Sequence, residues 1–180
     1  ISNVKLIISG ASHLSKLTNA LEKSDLINLP LFSIEDSERI PAEFKNIKDL
    51  SKQFSTFDPY EPVMKDVAAY IFTSGTTGLP KAALVDHAKL VKGSFAGHFL
   101  CFNFKTKDRL YMTLPLYHST GLVLGWAASL RAGCANIIKP KFSASEFWGD
   151  VKKYKANKFI YVGELCRYLM NLPVSETDKS

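Results

Sequence analysis

The sequence predicts an α/β fold, with mostly parallel strands flanked by helices, on three observations. Short β-rich runs alternate with helix-patterned stretches along the 180-residue chain. The spacing of that alternation argues for parallel strands in a sheet covered on both faces. And 46% of the residues are hydrophobic, which suits a sizeable core.

In order, residues 4–8 read as a strand, 12–23 as a helix and 31–34 as a short strand. Residues 36–62 are polar and read as a long loop with a short helix at 42–53. From residue 67 the pattern sharpens. Residues 67–73 form a strand, 74–81 a Gly-rich loop, 82–85 a second strand, 87–102 a helix and 109–114 a strand. A loop at 115–120 leads into an apolar helix ending at 132, and 135–139 is a strand. Ser143-Ala144-Ser145-Glu146 fits a capping box, in which the serine oxygen and the glutamate carboxylate satisfy free amides at a helix start. That helix runs to about residue 155; a strand at 159–162 and a helix at 164–171 follow. Glu164 and Arg167, three apart, suit a local ion pair.

Two segments are expected: 1–66, a partial α/β subdomain with a long loop, and 67–180, which holds the Gly-rich loop. Both are expected to belong to one larger domain truncated at each end. The chain opens at Ile1 directly before a strand-like run and closes in the polar stretch 173–180.

The net charge of +6 is uneven. Residues 1–66 carry 8 Lys/Arg against 10 Asp/Glu, and residues 67–180 carry 15 against 7. A basic half suits acidic partners such as phosphates, but no nucleic-acid motif accompanies it. Cys101, Cys134 and Cys166 are odd in number and include no CxxC pair, so neither a disulfide framework nor a zinc site is indicated. A reducing intracellular compartment fits. The longest apolar runs, such as 121–130, are too short to span a bilayer.

The most informative segment is Thr73-Ser74-Gly75-Thr76-Thr77-Gly78-Leu79-Pro80-Lys81, after the strand residues Tyr70, Ile71 and Phe72. It packs four hydroxyls, two glycines and a lysine between two apolar strands. Glycines let the backbone turn sharply and approach a ligand closely. Hydroxyls and exposed amides donate to phosphate oxygens, and Lys81 adds positive charge. This is not the Walker loop: the glycines lie three apart and Lys81 is followed by Ala82, which disfavours a GTPase or P-loop kinase.

Residues 73–81 resemble the phosphate-binding signature of the adenylate-forming (AMP-binding) superfamily, and Leu114-Pro115-Leu116-Tyr117-His118-Ser119 resembles its next segment. Residues 141–148 and 161–169 resemble one branch, the fatty acid transport proteins or very-long-chain acyl-CoA synthetases. The resemblance is strong over 70–173 and loose before that. It implies part of the large N-terminal domain of an acyl-CoA synthetase, with 67–180 as AMP-binding core.

The resemblance implies an ATP-dependent long-chain or very-long-chain fatty acid–CoA ligase linked to fatty acid uptake, using ATP, Mg²⁺ and coenzyme A. The loop Thr73, Ser74, Gly75, Thr76, Thr77, Gly78, Leu79, Pro80 and Lys81 would hold the phosphates. Lys81 and His118 would be catalytic; Tyr117, His118, Gly121, Tyr161 and Gly163 would face substrate. Gly121-Leu122-Val123-Leu124-Gly125-Trp126 has the composition of an apolar channel wall, its glycines leaving room for a hydrocarbon, and equally that of plain core. His13, His87 and His98 receive no role. The family's Tyr-Gly-x-Thr-Glu motif, its Thr-Gly-Asp segment and its C-terminal domain are not in this sequence, so these residues alone are expected to bind ATP weakly and not to turn over. Peripheral or anchored membrane association, at the endoplasmic reticulum, peroxisome or plasma membrane, is implied through segments not present. Two other readings stay open: an adenylating enzyme for a different acid, and a non-catalytic lipid transporter that kept the fold.

Overall fold

The computed structural model describes residues 4–24, 28–34, 40–56, 58–73 and 80–173. They fall into two compact units, Ile1–Glu61 and Pro62–Ser180.

In the first unit β1 (Ile7–Ser9), β2 (Leu31–Ser33) and β3 (Phe44–Asn46) form a parallel sheet in the order β1-β2-β3. Helix α1 (Leu14–Leu21), entered through a tight turn at Ala11–His13, contributes Leu14 and Leu21 to a buried cluster with Leu31 and Phe44. The ladder starts later than the apolar run: the Ile7 N–H donates to Pro30 O at 2.9 Å, and β1 exists only where β2 offers it partners. Strand β3 corrects the sequence reading, which placed a helix across 42–53. The helix is confined to α2 (Ile47–Ser51), capped by Asn46, whose side chain accepts from the Lys48 N–H at 2.8 Å. Three residues are too few to display a period, so only the free edge of β2 selects Phe44–Asn46 as a strand.

In the second unit β4 (Val67–Thr73) and β5 (Lys81–Asp86) pair antiparallel, with Thr73 opposite Lys81. Asp86 ends β5 and caps α3 (His87–Phe95), its carboxylate accepting from the Lys89 N–H at 2.6 Å. The chain continues in wider π-type turns over Ala96–Phe102 and stops at Asn103, whose φ of 46° lies in the left-handed region that asparagine tolerates.

The core of this unit is a parallel sheet in the order β7-β6-β8, with β6 (Arg109–Met112) central, β7 (Ala135–Ile138) on one side and β8 (Lys158–Ile160) on the other. Alternation along β6 sorts its side chains to two faces. Leu110 and Met112, with Ile160 of β8, pack against Phe104 and Ala128, where α4 (Ala128–Ala132) extends the π-type turns of Thr120–Ala127. Tyr111 points the other way, its ring edge-on to Phe147 at 5.4 Å and near Phe159 at 6.0 Å. Phe147 lies on α5 (Ala144–Tyr154), and Tyr168 of α6 (Gly163–Met170) reaches the same face through Phe142. Both faces are covered, as the sequence predicts.

At the amino ends of these strands the Asp108 carboxylate accepts from the Lys105 N–H and the Asn157 amide, each at 2.8 Å. The Lys105 amide, then Asn157, holds its carboxyl below the usual range. The capping box does not form. Ser143 precedes α5 as expected, but its hydroxyl meets Ser145 at 3.2 Å, and Glu146 turns toward Lys139 at 3.6 Å. A lysine close to the carboxylate outcompetes a backbone amide for it.

Candidate functional site

The hairpin and the carboxyl ends of the parallel strands supply two groups of residues. In β4, Ile71 is buried while Tyr70, Phe72 and Thr73 are exposed. Thr73 and Lys81 form the last pair of the ladder, and the Thr73 hydroxyl donates to Lys81 O at 3.4 Å. Lys81 and Pro80 are exposed. Ser74, Gly75, Thr76, Thr77, Gly78 and Leu79 lie outside the described residues.

The second group surrounds a cleft of about 380 Å³ lined by Leu114, Pro115, His118, Ser119, Thr120 and Val162. Its position follows from strand order. From β6 the chain exits toward the face covered by α4; from β8 it exits toward the face covered by α6. Where neighbouring strands send their connections to opposite faces, a crevice opens at the carboxyl ends, the place where open α/β sheets take ligands.

The wall carrying His118 is held by its own backbone. The His118 N–H donates to Pro115 O at 3.1 Å, and the His118 carbonyl accepts from the Leu122 N–H at 2.9 Å. Tyr117 and His118 are exposed, their ring centroids 4.8 Å apart. Across the cleft Val162 supplies the lining; Tyr161, its half-exposed neighbour in sequence, stacks on Phe159 at 5.5 Å and is not part of that lining. A Cβ added at Gly163 would meet nothing within 4 Å.

The glycines of the apolar helix leave no room for a hydrocarbon. A Cβ at Gly121 would lie 2.3 Å from Pro115 O, and one at Gly125 would lie 2.7 Å from Met112 Sδ. Their space is filled by the chain itself; Gly121 seats the His118 loop on the helix and Gly125 seats the helix on β6. Of the residues predicted for the site, the structure brings His118 onto the cleft wall, with Tyr117 beside it and Tyr161 and Gly163 flanking Val162. Thr73 and Lys81 do not line this cleft.

The same sheet carries, on its Tyr111 face, a polar group the sequence did not reveal. The Asp150 carboxylate, nine-tenths buried, accepts from the Tyr111 hydroxyl and from Lys139 Nζ, each at 2.8 Å. The bond from Lys139 chiefly, with that from Tyr111, holds the Asp150 carboxyl below its usual range against the opposing effect of burial. Burial first, then Asp150, pushes the Tyr111 phenol up, and the bond to Asp150 raises Lys139. Residues 39 apart in sequence give no local signal of such a contact. Among the described residues no three His, Cys, Asp or Glu side chains converge as a metal cage.

The AMP-binding enzyme family model matches residues 2–180. The chain belongs to the AMP-binding enzyme family.

Curated relatives of this AMP-binding chain include human long-chain fatty acid transport protein 6, 40% identical over 161 residues, which are 84% of this chain and 25% of that one. Mouse long-chain fatty acid transport protein 3 is 49% identical over 113 residues, 63% of this chain and 17% of the relative. The medium/long-chain-fatty-acid–CoA ligase FadD6 of Mycobacterium tuberculosis is 32% identical over 166 residues, 89% of this chain and 28% of its own. The chain thus spans between 17% and 28% of these relatives' length. Among solved structures, ATP-bound MatB from Rhodopseudomonas palustris superposes with a TM-score of 0.75 at 24% identity, covering 94% of this chain and 32% of MatB. A red-emitting luciferase from Phrixothrix hirtus reaches 0.81 at 20% identity, covering 99% and 35%. These show the fold. No described helix of the AMP-binding chain is long and apolar enough to cross a membrane.

Proposed function

We propose that this chain supplies the triphosphate grip and the carboxylate cleft of an ATP-dependent long-chain fatty acid–CoA ligase. The observation that carries this reading is the cleft at the divergence of β6 and β8, with His118 on its wall, in a chain whose relatives bear long-chain fatty acid names. ATP, the fatty acid and coenzyme A are the small-molecule ligands.

In the first step a carboxylate oxygen attacks the α-phosphorus of ATP, and the bond to pyrophosphate breaks. The task of the protein is to hold the triphosphate still and offset its charge. Hydroxyls and amides of 73–78 donate to the β- and γ-phosphates, and Lys81, at the foot of the hairpin, neutralises charge. Mg²⁺, when bound with the nucleotide, would offset phosphate charge beside Lys81 and the hydroxyls of 73–77. His118, with Tyr117, orients the attacking carboxylate, and Tyr161 and Gly163 lie along the path of the acyl chain. In the second step the sulfur of coenzyme A attacks the acyl carbon and the C–O bond to AMP breaks.

The test is fatty-acid-dependent pyrophosphate exchange and acyl-CoA formation by the full-length protein. Lys81→Ala and Thr77→Ala are each expected to lower the rate about 10²- to 10³-fold, the loss typical of one preorganised charge-stabilising group. Because the relatives are named for transport, uptake is measured in parallel. Uptake that survives both substitutions while no acyl-CoA forms would refute the ligase reading and leave a lipid transporter.

A further inference from the structure

We infer that Asp150 is a positioning residue for the cleft: one buried carboxylate on α5 fastens the carboxyl ends of β6 and β7 and so sets where the His118 wall begins. Tyr111 is fully buried in the centre of the sheet, two residues before Thr113, where the wall departs. Lys139 follows the last residue of β7, and its backbone N–H donates to Met112 O at 3.0 Å, extending the ladder. Both side chains end on the same Asp150 oxygen. Two strand ends and a helix are therefore joined through one atom on the Tyr111 face of the sheet, at the end of β6 from which residues 113–120 depart. Glu146, one helical turn before Asp150, stands 3.6 Å from the same lysine and supplements the charge without replacing the phenol contact.

A buried carboxylate with two donors specifies geometry at the expense of desolvation. Apolar residues would fill the space as well, but without direction. The Thr113 hydroxyl, buried with no hydrogen-bond partner, marks the point where the ladder gives way to the cleft loop. No bond from that side chain anchors the loop; the bonds one and two residues earlier do.

The experiment is amide hydrogen exchange of the full-length protein, read peptide by peptide, with kinetics beside it. Asp150→Ala is expected to accelerate exchange across 113–120 and 138–140 by about tenfold or more, the opening that loss of a charge-assisted hydrogen bond allows, and to leave β4 and β5 unchanged. Tyr111→Phe keeps the ion pair and is expected to give a smaller acceleration confined to the same peptides; it also serves if the alanine variant fails to fold. Gly149→Ala, on the same helix, is expected to leave those peptides unchanged, because its Cβ would meet nothing within 4 Å. The kinetic arm rests on the ligase reading: KM for the fatty acid rises in both lock variants while KM for ATP stays. If the protein forms no acyl-CoA, the exchange arm decides alone. Unchanged exchange over 113–120, a uniform acceleration everywhere, or the same acceleration in Gly149→Ala would overturn the inference.

Discussion

Replacing Gly125 with alanine tests how closely the apolar helix sits on the sheet. The new methyl would stand 2.7 Å from Met112 Sδ and 3.5 Å from both Ile160 Cδ1 and Thr120 O, against about 3.5–4.0 Å for ordinary contact. Met112 is fully buried, so its sulfur can yield only by shifting against the core residues around it. Overpacking of this kind costs about 1–3 kcal/mol, while removing a helical glycine returns about 0.5–1 kcal/mol. The net expectation is a loss of about 1–2 kcal/mol. With a urea slope of about 2 kcal/mol/M, the midpoint should fall by roughly 0.5–1 M. Gly149→Ala supplies the control: with empty space around the new methyl, only the propensity gain of about 0.5–1 kcal/mol remains, and the midpoint should rise. Urea unfolding followed by far-ultraviolet circular dichroism measures both. A Gly125→Ala protein as stable as the parent, or equal signs at the two glycines, would refute the close approach.

Leu110→Ala, at a fully buried site between two strands, should cost about 2.7–5 kcal/mol in the same assay. Asp86→Ala removes the cap of α3 and should cost about 1 kcal/mol, restored in large part by Asp86→Ser. Stability against pH should be flat from about 5 to about 9 as far as Asp150, Asp108, Lys139 and Tyr111 are concerned. The two carboxyls are depressed in the fold, so their contribution is present above their unfolded pKa and is lost as pH falls through the folded values. Lys139 and Tyr111 are raised, so theirs is present below the unfolded pKa and lost as pH climbs through the folded values. Asp150→Asn should shallow the acid limb; an unchanged limb would show that the carboxylate gains nothing from its partners.

Most of the layered fold was legible because its signal is local. Runs such as 67–73 and 109–112 carry their own apolar character, and helices such as α5 declare their start and length. What escaped depended on contacts made at a distance. Strand β3 exists by grace of the edge of β2, and no window of three residues betrays it. The capping box matched its pattern but lost its glutamate to Lys139, which β7 delivers from outside the window. The glycines at 121 and 125 read as free volume because a sequence shows the missing side chain and not the neighbour that takes its place. In the candidate site, the segment around His118 drew attention from sequence and does line the cleft, whereas Asp150, Tyr111 and Lys139 come from three separate elements and converge only in the folded sheet.

The central place of β6 also has a consequence for how the chain is made. Its first partner strand begins at Ala135 and its second at Lys158, and the bond that joins its start to Asn157 spans 48 residues. A ribosome extending the chain at about 5–20 residues per second leaves the strand that is most buried in the folded unit unpaired for several seconds. Until α5 and β8 emerge, Leu110, Tyr111 and Met112 have an uncovered face and an open edge. During that interval β6 is a strand edge open to pairing with a neighbouring chain.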